Sequence, residues 1–209
     1  GGLIGSLGYD RSNSLLDPSE GFRLFGRLNP EVSFGNGSDY YLRSMVEATG
    51  YYPVAEDIVI AGRTRLGSIV GIPRDDLAPS RRLYAGGGGS VRGFGFQQIG
   101  PRETIANPDF DPAEPDKEPE FLSAPLGGRS LAEFAIEARY RFGNYGVVAF
   151  VDAGQVYETQ YPTFDNLRFG VGIGGRLYTN FGPIRIDIAT PIDRRPDESW
   201  LAAYVWIGQ

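Results

Sequence analysis

Apolar and polar residues alternate along most of this chain with a period of two, the repeat of a β-strand whose successive side chains point to opposite faces. Residues 3–11 place Leu3, Gly5, Leu7 and Tyr9 on one parity, and a turn follows at Ser12-Asn13-Ser14 and Leu16-Asp17-Pro18. From Phe22 onward the even positions are Phe22, Leu24, Gly26, Leu28, Val32 and Phe34, and the odd ones Arg23, Arg27, Asn29, Glu31 and Ser33. Beyond a turn at Gly35-Asn36-Gly37-Ser38, Tyr40, Leu42, Val46 and Tyr52 oppose Arg43, Glu47 and Thr49. Pro53 is predicted to end that strand, because proline cannot donate to a ladder. Ile58, Ile60, Leu66 and Val70 then oppose Asp57, Arg63 and Arg65.

The alternation stops from about Gly71 to Gly128 and returns most clearly afterwards, with Ala132, Phe134, Ile136, Ala138, Tyr140 and Phe142 opposite Glu133, Glu137, Arg139 and Arg141. A turn at Gly143-Asn144 leads into residues 145–157, where Tyr145, Val147, Ala149, Val151 and Ala153 oppose Gly146, Phe150, Asp152 and Gly154. Leu167, Phe169, Val171, Ile173 and Leu177 next oppose Arg168, Gly170, Gly172, Gly174 and Arg176. After a turn at Asn180-Phe181-Gly182-Pro183, Ile184, Ile186 and Ile188 oppose Arg185 and Asp187, and a last strand runs from about Trp200 to Gln209. The pattern predicts nine strands of roughly 9–15 residues, long enough for a tilted strand to cross hydrocarbon. A register slip of one residue would carry arginine into lipid, so Phe134, Ile136, Tyr140, Phe142, Val147, Val151, Phe169, Ile173, Ile184 and Ile186 are expected to face it.

Composition sharpens this picture. With 41% hydrophobic residues, 30 Gly and 15 Pro in 209 residues, this is a strand-and-turn chain. Mean hydropathy is −0.24, and no apolar run approaches the ~20 residues of a membrane helix, but hydropathy is blind to barrels, whose strands average lipid-facing with lumen-facing residues. A β-sandwich is the soluble alternative; its strands are usually shorter and its polar face carries mixed Lys and Glu. Here Lys117 is the only lysine, and the charged face is Arg, Glu, Asp and Gly with aromatics. The chain has no cysteine and no histidine, which removes disulfides, thiol nucleophiles, His-based catalysis and the usual zinc sites. Glu133 and Glu137 share a face but lie about 13 Å apart at about 3.3 Å per residue, too far for a carboxylate-pair mechanism. No catalytic residue, metal or cofactor is expected. A net charge of −6, uneven because of Asp109, Asp111, Glu114, Asp116, Glu118 and Glu120, suggests no nucleic-acid surface.

The interruption is too long for a structureless connection in a compact domain unless it is functional or disordered. Its part from Pro101 to Pro125 is acidic and proline-rich and reads as a mobile, solvated insertion. Its first part holds Gly86-Gly87-Gly88-Gly89-Ser90-Val91-Arg92-Gly93-Phe94, where five of nine residues are glycine but a cation and two apolar side chains are planted among them. Gly86 to Ser90 alone could be a flexible linker; the same strand pattern on both sides argues against that.

Tyr84-Ala85-Gly86-Gly87, then Ser90-Val91-Arg92-Gly93-Phe94 and Ile99-Gly100-Pro101, resemble the sixth extracellular loop of the BamA/TamA superfamily of outer-membrane barrels. Gly62-Arg63-Thr64-Arg65 resembles that family's strand entering the loop, and Phe150 to Val156 and Gly170 to Gly174 its late strands. Gly182 to Pro191 and the ending from Tyr204 resemble TamA more than BamA. The resemblance implies the C-terminal nine strands of a sixteen-stranded transmembrane antiparallel barrel in the Gram-negative outer membrane, with a loop between strands four and five that enters the lumen. The first barrel half and soluble POTRA domains would precede this chain, together with an export signal. The end at Gln209 is expected to fall about two residues short of the family's terminal aromatic.

What the family does implies a non-enzymatic factor that inserts or translocates outer-membrane β-proteins, including autotransporters, through a lateral seam. Implied partners are outer-membrane lipid, nascent β-proteins and a periplasm-spanning inner-membrane protein. The expected seam strand carries Trp200, Tyr204, Trp206 and Gly208. Arg92 is expected inside the lumen, held by Glu137 and Asp152 from adjacent strands, with Gly93 allowing the turn and Phe94 and Phe96 packed on the wall. Two other functions stay open: a polypeptide secretion pore of the two-partner type, and a passive porin. Arg23, Arg27, Arg43, Arg63, Arg65, Arg139, Arg141, Arg168, Arg176 and Arg185 all fall on the inward parity. They form either an anion-selective wall or a network neutralised by Glu31, Glu47, Glu133, Glu137, Asp152 and Asp187.

Overall fold

The computed structural model describes residues 1–34, 38–113, 117, 119–179 and 182–207, with Phe34 as backbone only. The alternating segments form β1 (Gly5–Asp10), β2 (Gly21–Phe34), β3 (Ser38–Ala55), β4 (Ile58–Val70), β7 (Ser130–Phe142), β8 (Tyr145–Tyr157), β9 (Arg168–Thr179), β10 (Gly182–Pro191) and β11 (Ala202–Ile207). They make one antiparallel nine-stranded sheet in chain order, β1 and β11 at its two ends, so the sheet does not close on itself. The long interruption separates β4 from β7, which pair directly, Arg65 opposite Glu133. The turns at 35–37 and 180–181 and the last two residues, Gly208 included, lie outside the described residues.

The two faces of the sheet are chemically separate. Eight of the ten residues expected to face lipid are exposed, Ile136 at 63% and Ile173 at 66%, and Phe134 and Ile184 are half-buried. The opposite face carries the charges, and over it lies the larger of the two apolar clusters among the described residues. Ile72, Leu77, Leu83, Ala85, Val91, Phe94 and Ile99 from the long loop pack there against Tyr41, Ile69, Leu131 and Val156 of the strands, with Met45 at the edge. The core of this chain is therefore the contact between the sheet's inner face and its own loop. Lipid replaces a second layer on the outer face. Ile173→Arg, near the middle of β9, is expected to cost roughly 2–4 kcal/mol in a bilayer, seen as a lower urea midpoint, while Tyr161→Arg in an exposed loop leaves the midpoint unchanged.

Two local expectations are corrected. Pro53 does not end β3, which continues to Ala55. β2 has already stopped opposite Tyr51, so the missing N–H of Pro53 falls where no second ladder is present, and an irregularity follows between Pro53 and Ala55. The insertion 101–125 is not wholly without structure: β5 (Arg102–Ala106) and β6 (Phe121–Pro125) pair as a hairpin. Short apolar runs flanking the acidic turn explain it, with Ile105 opposite Leu122 and Asn107 bonding the Pro119 and Glu120 carbonyls.

Candidate functional site

The loop is carried into the concave side by a narrow neck. Leu83 and Gly128 exchange both backbone hydrogen bonds at 2.9 Å, and Ile99 N–H donates to Ala85 O at 3.0 Å. Below the neck, Ser90 N–H donates to Gly87 O and Gly87 N–H to Val91 O, making a tight turn that presents Arg92. At Gly93 φ is +98°, and a Cβ there would sit 3.0 Å from the Thr190 carbonyl, so glycine is required both for conformation and for close approach.

Arg92 is buried at 6% exposure and meets three carboxylates. Nε donates to Asp152 Oδ2 at 2.7 Å, Nη2 to Asp152 Oδ1 at 2.8 Å, and the Arg92 backbone N–H to Asp152 Oδ2 at 3.0 Å. Nη1 lies 2.7 Å from Glu137 Oε1 and 3.1 Å from Asp187 Oδ2. The guanidinium carbon stands 3.4 Å from the centre of the Phe150 ring, adding cation–π attraction on one face. Burial works against this charge, yet the Asp152 hydrogen bonds and the charges of Glu137, Asp152 and Asp187 hold Arg92 above the ordinary arginine pKa. Arg139 pairs with Glu137 at 3.0 Å and Arg176 with Asp187 at 2.5 Å, and Arg185 lines the same cavity as a further cation.

The register explains how the strands deliver these groups. Asp152 is opposite Ala135 and Glu137 opposite Phe150, so the two carboxylates are diagonal neighbours, and Arg92 spans the offset. Asp187 is two strands beyond β7's neighbour β8, across β9. Its part in holding Arg92 was not foreseen, although its inward parity was. Between β8 and β10 the inner face of β9 is Gly170, Gly172 and Gly174, a trough without side chains; a Cβ on Gly170 would overlap the Arg92 carbonyl.

A second set of contacts fixes the turn itself. Ser90 Oγ donates to Glu133 Oε1 at 2.5 Å and accepts from Gly86 N–H. Arg63 donates to the Gly89 and Ser90 carbonyls at 3.1 and 2.5 Å, and Arg65 pairs with Glu133, which is fully buried. Val91 and Phe94 are buried, but Phe96 is 77% exposed and does not pack on the wall, since Gln97 turns back with φ +60° to rejoin the neck. On β11, Tyr204 Oη accepts from Gly93 N–H at 3.1 Å and donates to Phe94 O at 2.8 Å. Gly88 lies against the Tyr204 and Trp206 rings. Trp200 precedes the strand, and its carbonyl accepts from Thr190 Oγ1. The three carboxylates converge on a point already filled by a guanidinium, an arrangement that holds a chain segment and leaves no open coordination position there.

The Omp85 superfamily domain model matches residues 2–208. The chain belongs to the Omp85 superfamily. Over 197 residues this Omp85 chain is 27% identical to the outer membrane protein assembly factor BamA of Nitratidesulfovibrio vulgaris (strain Hildenborough), covering 90% of the chain and 22% of that protein. In fold it resembles the crystal structure of BamA from Haemophilus ducreyi lacking POTRA domains 1–3, with a TM-score of 0.73, 19% identity, and coverage of 98% of this chain and 42% of that one. The chain thus spans less than half the length of either. It is a stretch of outer-membrane β-barrel with an Omp85 loop on its inner face.

Proposed function

We propose that this chain is the seam-bearing part of an outer-membrane factor that inserts β-barrel proteins, with the Arg92 cluster as the lock that holds the loop against the wall. The observation that carries the reading is the joint position of loop and edge strand. The Omp85 motif is buried on the inner face, and its backbone is hydrogen-bonded to Tyr204 of β11, which itself pairs only with β10 among the described strands. An edge strand with unsatisfied N–H and C=O groups can template a client strand by β-augmentation, and a loop braced on it sets its position. Catalysis is not needed, because strand exchange is driven by pairing and burial. Gly182–Pro191 and the ending from Tyr204 lean towards TamA, which extends the proposed clients to autotransporters and the partners to a periplasm-spanning inner-membrane protein.

The test is site-specific photocrosslinking in the full-length protein during client assembly. A photoreactive residue at Val205 or Ile207 on β11 is expected to capture an incoming β-barrel precursor, and one at Ile173 on the lipid face is not. Capture at Thr49 or Arg63 on the inner wall, with none at β11, would instead support a secretion pore and overturn the seam reading.

A further inference from the structure

We infer that Arg168 and Glu198 are positioning residues that latch the outer end of the β10–β11 hairpin to the loop, so that β11 releases first from its Ile207 end. This rests on the seam reading for its significance. Its physical content stands on contacts that the Arg92 cluster does not share.

Arg168 begins β9 beside the neck. Its Nη1 and Nη2 donate to both Glu198 oxygens at 3.0 and 2.8 Å, a bidentate pair whose side chains are 9% and 5% exposed, and Nη2 also donates to the Asp193 carbonyl. Its guanidinium stacks on Phe94 of the loop motif, 4.9 Å from the ring centre. Glu198 further accepts from Arg195 N–H at 2.8 Å, while its carbonyl accepts from Arg194. Burial opposes the Glu198 charge, but the Arg168 and Arg195 hydrogen bonds hold its carboxyl below the usual range. Arg102 at the foot of the β5–β6 hairpin lies 3.0 Å from Asp197, an ion pair without hydrogen-bond alignment. Thr190 Oγ1 closes the end of β10 on Trp200 O. The segment between β10 and β11 is thus tied to β9, to the loop motif and to the insertion.

Among the described residues, no ion pair or side-chain hydrogen bond of this kind holds the far end. Below Tyr204, Val205 and Ile207 stand on the lipid face opposite Ile186 and Ile184, and the one inward side chain, Trp206, makes only an apolar contact with Gly88 of the loop. Ladder bonds to β10 from Ile184 to Ala189 are shared by both ends, so side-chain anchors decide which opens first.

Residue-resolved hydrogen exchange on the full-length protein in lipid nanodiscs tests this, and reads the strand without reference to any client. In the unaltered protein, amides at Ala202 and Ala203 should exchange more slowly than those at Val205 to Ile207. Glu198→Gln should speed exchange at Ala202 and Ala203 by about tenfold, the factor equivalent to about 1.4 kcal/mol. Asp197→Asn, at a half-exposed position that poses no folding risk, should act in the same direction by roughly two- to threefold. Cysteines at Ala189 and Ala202, direct ladder partners in a chain with none of its own, should restore slow exchange to Glu198→Gln when oxidised. A rise in either variant supports the latch. Equal exchange at both ends of unaltered β11, or no change in both variants, overturns it, and neither result bears on whether clients use the seam.

Discussion

Arg92→Ala is expected to release the loop from the barrel wall and to lower stability by roughly 3–5 kcal/mol, the range for removing one partner of a buried ion pair. The reason lies in what remains. Among the described residues, the three hydrogen bonds that Asp152 accepts all come from Arg92, and the carboxylate is 1% exposed, so the variant buries an uncompensated charge. Glu137 and Asp187 keep Arg139 and Arg176, which is why the barrel should still assemble its strands. Arg92→Lys should fall between, since a point charge cannot reproduce the bidentate contact with Asp152 while also reaching Glu137 and Asp187. The readouts are the temperature at which the folded band is lost on heated gels and protease cutting within residues 86–98. If Arg92→Ala matches the unaltered protein in both, the lock proposal fails.

Gly170→Ala should displace the loop from the opposite side of the contact. Its new methyl would overlap the Arg92 carbonyl, a backbone atom that cannot swing aside, so the loop has to lift. Overpacking of this kind typically costs about 1–3 kcal/mol and sometimes more. The control is five residues along the same strand: a Cβ on Gly175 meets nothing within 4 Å and points outward. Gly175→Ala is expected to be neutral or to stabilise by about 0.4–1 kcal/mol through the unfolded state. Equal stability of the two alanine variants would show that the loop does not lie in the β9 trough.

Much of this was legible from alternation. Glu137, Asp152, Asp187, Arg139 and Arg176 could be assigned to one face because strand parity is local and a slip by one residue is penalised at every lipid-facing position. Arg92 could be singled out because a cation among glycines resembled a known loop. The third carboxylate could not. Which of several inward acids meets a given arginine depends on register across β7 to β10 and on loop depth. Parity reports neither. Phe96 failed for a related reason: inside a loop no period says which aromatic is buried, and the turn at Gln97 leaves Phe94 in the core and Phe96 outside. The Arg168–Glu198 pair was missed because Glu198 lies in a connection of no period, 30 residues from its partner.

The sequence by itself determined the strands and their two faces, because these follow from each residue's immediate neighbours along the strand, and the resemblance of the loop motif to a known family supplied the membrane setting. Tertiary structure alone decided that the core is made by the loop, that three carboxylates and Phe150 share one arginine, and that Tyr204 ties the loop to the edge strand. The arginine and Tyr204 contacts join residues 45 to 111 positions apart. Closing such distances costs chain entropy that only the assembled sheet offsets, so no local pattern records them.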